Sequence, residues 1–173
     1  MKTLLILILS CLIFTSCTTM RDPKAVRDSY ENQIKDWQER VKKEGWTNRV
    51  IKSINMELME MSVYVFDKEI PGQKWPGDHW DTPNEFFEKG LVGDCEDMAV
   101  LAWSTFKRLN YPYQIRIQAV TMLTGDHAIV SIELADGSWM MLESVLANYA
   151  SIESLFYRSF AEWDVNNIYT IGK

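Results

Sequence analysis

A chain of 173 residues, 47% hydrophobic, 12% aromatic and 24% charged, is long enough for one packed domain and too apolar for disorder. Its net charge of −6 and pI near 5.0 argue against a nucleic-acid partner, because phosphate binding needs a basic face. Nothing in the chain repeats, and no low-complexity linker divides it.

The chain opens on Lys2 and an apolar run from Leu4 to Leu9, then reaches Phe14-Thr15-Ser16-Cys17. A short positive start, an apolar stretch and small residues describe a secretory signal peptide. The stretch falls short of the roughly 20 apolar residues that a membrane span wants. The tetrapeptide resembles the bacterial lipobox, with Phe14 where Leu is usual. That resemblance implies removal of residues 1–16, acylation of Cys17, a lipidated tether over 17–22 and one domain over 23–173. The alternative is an ordinary cleaved signal, with Cys17 incidental. Thr18 after the cysteine, by the same likeness to lipoproteins, points to the outer membrane facing the periplasm.

Of the three cysteines, Cys11 then leaves with the signal and Cys17 carries lipid. Cys95 becomes a solitary thiol in an oxidising compartment, where cysteines normally pair. Such a thiol is exposed to irreversible oxidation, so chemistry explains it better than packing does.

The predicted elements begin with helices. Asp22-Pro23 reads as an N-cap followed by Pro at the first helical position. Val26, Tyr30, Ile34, Trp37 and Val41 then lie on one helical face, which Gly45 ends. Thr47 caps a second helix through Ile51, Ile54, Leu58 and Met61, running toward Phe66. Pro71-Gly72 and Pro76-Gly77 make an irregular loop as far as Asp81. Thr82 and Glu85 form a capping box for a short helix, ended by Gly90 and Gly93. A longer helix runs from Cys95 to about Leu109. After Asn110-Tyr111-Pro112 the period becomes strand-like over Gln114–Met122, His127–Leu134 and, past an Asp136-Gly137 turn, Trp139–Leu142. Helices followed by an antiparallel sheet make an α+β domain.

The chemistry gathers at Gly93-Asp94-Cys95-Glu96-Asp97. A glycine turn followed by a helix puts Cys95 in the first helical turn, where backbone N–H groups favour a thiolate and offer an oxyanion hole. His127, opening a strand, could take the thiol proton. Glu143 on the next strand could orient the imidazole, with Asp126 and Ser144 as alternatives. A two-residue turn would set Glu143 opposite Val130, away from the His127 face; an odd-length or bulged loop would bring the two together.

Trp80-Asp81-Thr82-Pro83-Asn84-Glu85-Phe86-Phe87, then Gly90, then Gly93-Asp94-Cys95-Glu96-Asp97, resembles the bacterial transglutaminase-like cysteine proteinases, the LapG-type periplasmic proteases. The likeness runs from about Asn48 to about Glu143. It implies a papain/transglutaminase-like fold, with N-terminal helices and a nucleophile helix packed on an antiparallel sheet. It also implies a triad of Cys95, His127 and Glu143, with Glu standing where the family has Asp. A calcium site at Asp94, Glu96 and Asp97 follows from the same resemblance. Calcium has a local rationale as well: hard oxygen donors suit it, and a divalent ion would cancel the penalty that three carboxylates impose on a neighbouring thiolate. The bland reading is that these acids complement the helix dipole. Zinc held by Cys95, His127 and His79 is a remote alternative.

Trp80 could line the cleft or give its indole N–H to an oxyanion, although a Trp in such a loop is more often a packing plug. His79 reads as a solvated loop residue, and Arg116 and Arg158 as surface. The expected activity is cleavage of an envelope protein through an acyl-enzyme, a surface adhesin being the substrate that the resemblance suggests. A transamidase on the same site and a non-catalytic, lipid-tethered binding module are the alternatives.

Overall fold

A computed structural model describes residues 21–66, 79–122, 125–142 and 158–163. The signal segment, Cys17, the Pro/Gly loop before Asp78, Glu143 and Ser144 lie outside them.

Helix α1 spans Pro23–Glu44 and starts as its sequence predicts, with the Asp22 carboxylate accepting from the Lys24 N–H at 3.0 Å. Gly45 ends it at φ +70°, a backbone conformation that costs glycine least, and returns its N–H to the Val41 carbonyl at 2.8 Å. Helix α2 spans Asn48–Met61, capped by the Thr47 hydroxyl. The two helices bury Val26, Tyr30, Ile34 and Trp37 against Val50, Ile51, Ile54 and Leu58.

The expectation that α2 runs toward Phe66 is corrected. Ser62 turns extended, and Val63–Tyr64 form strand β1, parallel to strand β2 at Val92–Gly93. Val63 and Val65 give their N–H groups to Leu91 and Gly93 carbonyls, each at 2.8 Å. Those acceptors come from nearly thirty positions away, so helical periodicity alone gave no sign of them.

Helix α3 spans Pro83–Glu88 with the expected capping box between Thr82 and Glu85. Helix α4, Cys95–Arg108, is the centre of the molecule, buried almost all round from Glu96 to Ala102. Helices α1 to α3 lie on one side of α4. On the other is a sheet of strands β3 (Ile115–Met122), β4 (Gly125–Glu133), β5 (Trp139–Leu142) and β6 (Arg158–Trp163), in the order β5-β4-β3-β6. Tyr30 and Thr105 join α1 to α4 through a buried hydroxyl pair at 2.8 Å.

The β4–β5 turn differs from the two-residue expectation. Leu134 donates its N–H to Ser138 at 2.7 Å, which closes a loop of Ala135, Asp136 and Gly137, with Gly137 at φ +80°. A three-residue loop with a left-handed glycine is the next commonest hairpin connection. It sets Leu142, and not Glu143, opposite Val130. Strand β6 was not foreseen in the sequence. It pairs with β3 across a bulge at Ala119/Val120. Among the described residues no helix is long and apolar enough to cross a membrane.

Candidate active site at the start of the buried helix

The site is built where β2 ends and α4 begins. Gly93 is required there by space: a Cβ on it would lie 2.1 Å from the Asp97 Oδ2 and 2.9 Å from the Phe86 ring. Cys95 follows as the first residue of α4, partly buried against the core, and it is the free cysteine of the described chain.

The sulfur has two neighbours of opposite effect. Its thiol donates to the Glu96 Oε2 at 3.2 Å, while the backbone N–H of Ala128 hydrogen-bonds it from β4. Burial, first, and the Glu96 charge, next, push the thiol well above its ordinary range; the Ala128 N–H pulls the other way, and Asp94 adds to the rise. The penalty expected from flanking carboxylates is therefore present.

Ala128 turns its side chain into the core beneath α4, together with Val130, Ile132 and Leu142. By strand alternation the half-buried His127 leaves from the other face of β4, one residue from the contact with Cys95. The hairpin register has Leu142 opposite Val130, which is the odd-loop condition for sharing the His127 face. Glu143 itself lies outside the described residues, and for Asp126 only the backbone pairing with Thr121 is described.

The three acids of the motif are buried, at 7% exposure for Asp94, 6% for Glu96 and 1% for Asp97, which is not how acids that merely complement a dipole are held. Asp97 accepts the Asp81 N–H at 2.7 Å on one oxygen and the Asp94 N–H at 3.3 Å on the other. Burial, the leading cause, with the charges of Asp81 and Asp94, raises its pKa to about 7, against the backbone hydrogen bond from Asp81. The trio does not converge on one point as three ligands; Asp97 is turned to backbone donors instead. Asp94 and Glu96 remain beside the thiol as hard oxygen donors whose charge a cation would offset, so these two fit calcium.

Among the described residues, the one group of three metal-type ligands within mutual reach is His79, Asp81 and Glu85, at up to 4.8 Å. The zinc set of Cys95, His127 and His79 is thus not assembled. Lys89 already sits 2.7 Å from the Asp81 Oδ2, and Glu85 accepts the Thr82 N–H at 2.8 Å, so this group reads as a local charge network. His79 is exposed as expected, 3.5 Å from Asp81. Trp80 packs half-buried on the core.

No family model matches the chain, and no curated protein matches it. Solved structures do. An EGTA-treated LapG of Legionella pneumophila superposes with a TM-score of 0.63 at 19% identity, covering 83% of this chain and 75% of that one. The calcium-bound LapG of the same organism gives 0.58 at 16%, covering 83% and 84%. A candidate cysteine protease from Cytophaga hutchinsonii gives 0.50 at 15%, covering 76% of this chain and 43% of that one. The chain has a papain/transglutaminase-like fold. At these identities the likeness speaks for fold, a cysteine-protease-like one, and leaves the chemistry to the residues. Sequence reasoning missed Ala128, Asp81 and Lys89. A backbone N–H carries no side-chain signature, and the Asp81–Lys89 pair is made by the turn of α3.

Proposed function

We propose that the chain is a cysteine peptidase of the bacterial cell envelope, with Cys95 as nucleophile, His127 as its proton acceptor and Glu143 orienting the imidazole. The observation that carries this reading is the contact of the Ala128 N–H with Cys95, which brings the residue after His127 to the sulfur. His127 takes the thiol proton, and the sulfur adds to a peptide carbonyl whose oxygen becomes an oxyanion. Backbone N–H groups at the start of α4 are its donors, with the Trp80 indole as a further one. The C–N bond then breaks, the imidazolium protonates the leaving amine, and a thioester remains on Cys95. Water, deprotonated by His127, hydrolyses the thioester and restores the thiol.

Asp94 and Glu96 are the side chains that would hold calcium. When bound, the ion supplies positive charge beside the thiol and offsets the rise those carboxylates cause. Asp97 stays behind them, on its backbone donors. The substrate is a protein of the envelope, of which a surface adhesin is one kind. Tyr64 and the 75%-exposed Phe66 stack edge to face at 5.0 Å beside β2 and offer it an apolar wall. The lipobox-like Phe14–Cys17 supports acylation of Cys17 and an outer-membrane address; loss of palmitate labelling in Cys17→Ser is the expected result, and retained labelling overturns the anchor.

The test is a peptidyl chloromethyl ketone, assayed with calcium. It should label Cys95 in the unmodified chain, leave Cys95→Ser untouched and label His127→Ala at least about 100-fold more slowly. Undiminished labelling of His127→Ala would sink the mechanism.

A further inference from the structure

We propose that Asp97 is a positioning residue that ties the Trp80–Asp81 segment to the turn bearing Cys95, so that the cleft wall and the nucleophile keep one fixed relation. Its functional meaning rests on the peptidase reading above; the tie itself does not. The Asp97 carboxylate is 1% exposed and bonds two backbone N–H groups from separate stretches, Asp81 at 2.7 Å and Asp94 at 3.3 Å. Asp94 is the N-cap of α4, so its N–H sets how the first helical turn, and with it Cys95, is presented. Asp81 directly follows Trp80, which packs on the core.

A carboxylate in this position is destabilising unless its acceptors are used, because burial removes its water. Here each oxygen has a backbone donor. The fit is tight, since the Gly93 Cα approaches where any Cβ would meet the Asp97 Oδ2 at 2.1 Å. An apolar residue could fill the volume but could hold neither N–H. Asn could hold only one, because its NH₂ would face the other donor.

The experiment compares the unmodified chain with Asp97→Leu, in which neither N–H keeps its side-chain acceptor. In chelator, amide hydrogen exchange at Asp81 and Asp94 should rise together by at least about tenfold, while α1 and the β3–β4 ladder stay as they were. A rise at one amide only, or at neither, overturns the tie. The unmodified chain gives a check that needs no variant: both amides should exchange with one shared dependence on dilute urea, and separate dependences overturn the proposal.

With calcium, Asp97→Leu should lose at least about tenfold in labelling by a peptidyl chloromethyl ketone, which must fill the cleft, and less than about threefold with iodoacetamide, which need not. A parallel fall with both reagents makes Asp97 merely structural. If the unmodified chain refuses the peptidyl reagent while the exchange result holds, the peptidase reading fails and the tie stands.

Discussion

The backbone N–H of Ala128 hydrogen-bonds the Cys95 thiol, joining the strand that carries His127 to the helix that begins with the sulfur. The same sulfur donates to Glu96 at 3.2 Å, so a stabilising dipole and a destabilising charge act on one atom.

That balance makes the first prediction. Burial and Glu96 keep the thiol protonated above its ordinary range, so alkylation of Cys95 by iodoacetamide in chelator should be slow at neutral pH. Its rate should still be climbing above about pH 9, past the ordinary cysteine midpoint near 8.5. Calcium, or Glu96→Gln, should move the profile to lower pH. A chelated protein that reacts with a midpoint at or below the ordinary value would contradict the electrostatics described here.

Asp97 gives the second. Its pKa is raised to about 7 in the fold, against about 3.9 for an ordinary aspartate. The folded chain therefore binds more protons than the unfolded one across that window, and this group's contribution to stability is lost as pH rises through about 7. In chelator, the urea midpoint should fall between pH 4.5 and pH 7.5, and Asp97→Asn should flatten the slope. An unchanged slope in the variant would assign the effect elsewhere.

Gly93→Ala is the third. The new Cβ would meet the Asp97 oxygen at 2.1 Å and the Phe86 ring at 2.9 Å, and both are held in the core. The expected cost is about 1–3 kcal/mol, the usual range for overpacking. Thermal unfolding measures it, and a variant as stable as its parent would show that the turn yields freely.

Tyr30→Phe is the fourth. The Tyr30 hydroxyl donates to Thr105, whose own proton goes to the Leu101 carbonyl at 2.8 Å. Removing the phenol oxygen should cost about 1 kcal/mol, with little change in the denaturant slope, because α1 keeps its apolar contact with α4. A loss beyond about 3 kcal/mol would mean that this bond organises the helix pair.

The helices were largely written in local residues. Asp22-Pro23, Thr47, Thr82 with Glu85, and Gly45 act through bonds within a turn or so of themselves, so caps and ends could be read without knowing the fold. The Gly93–Asp97 motif likewise fixed Cys95 at the start of a helix. What tertiary structure decided were the contacts between distant stretches. Val63–Tyr64 left α2 because Leu91 and Gly93 offered carbonyls, β6 found β3, and a left-handed Gly137 changed the hairpin register by one residue. The acids show the division most clearly. Sequence supplies three carboxylates around a thiol, whereas burial decides that Asp97 serves backbone donors while the charges of Asp94 and Glu96 act on the sulfur. Periodicity reports which face a residue occupies; desolvation and hydrogen-bond partners depend on what the rest of the chain brings to that face.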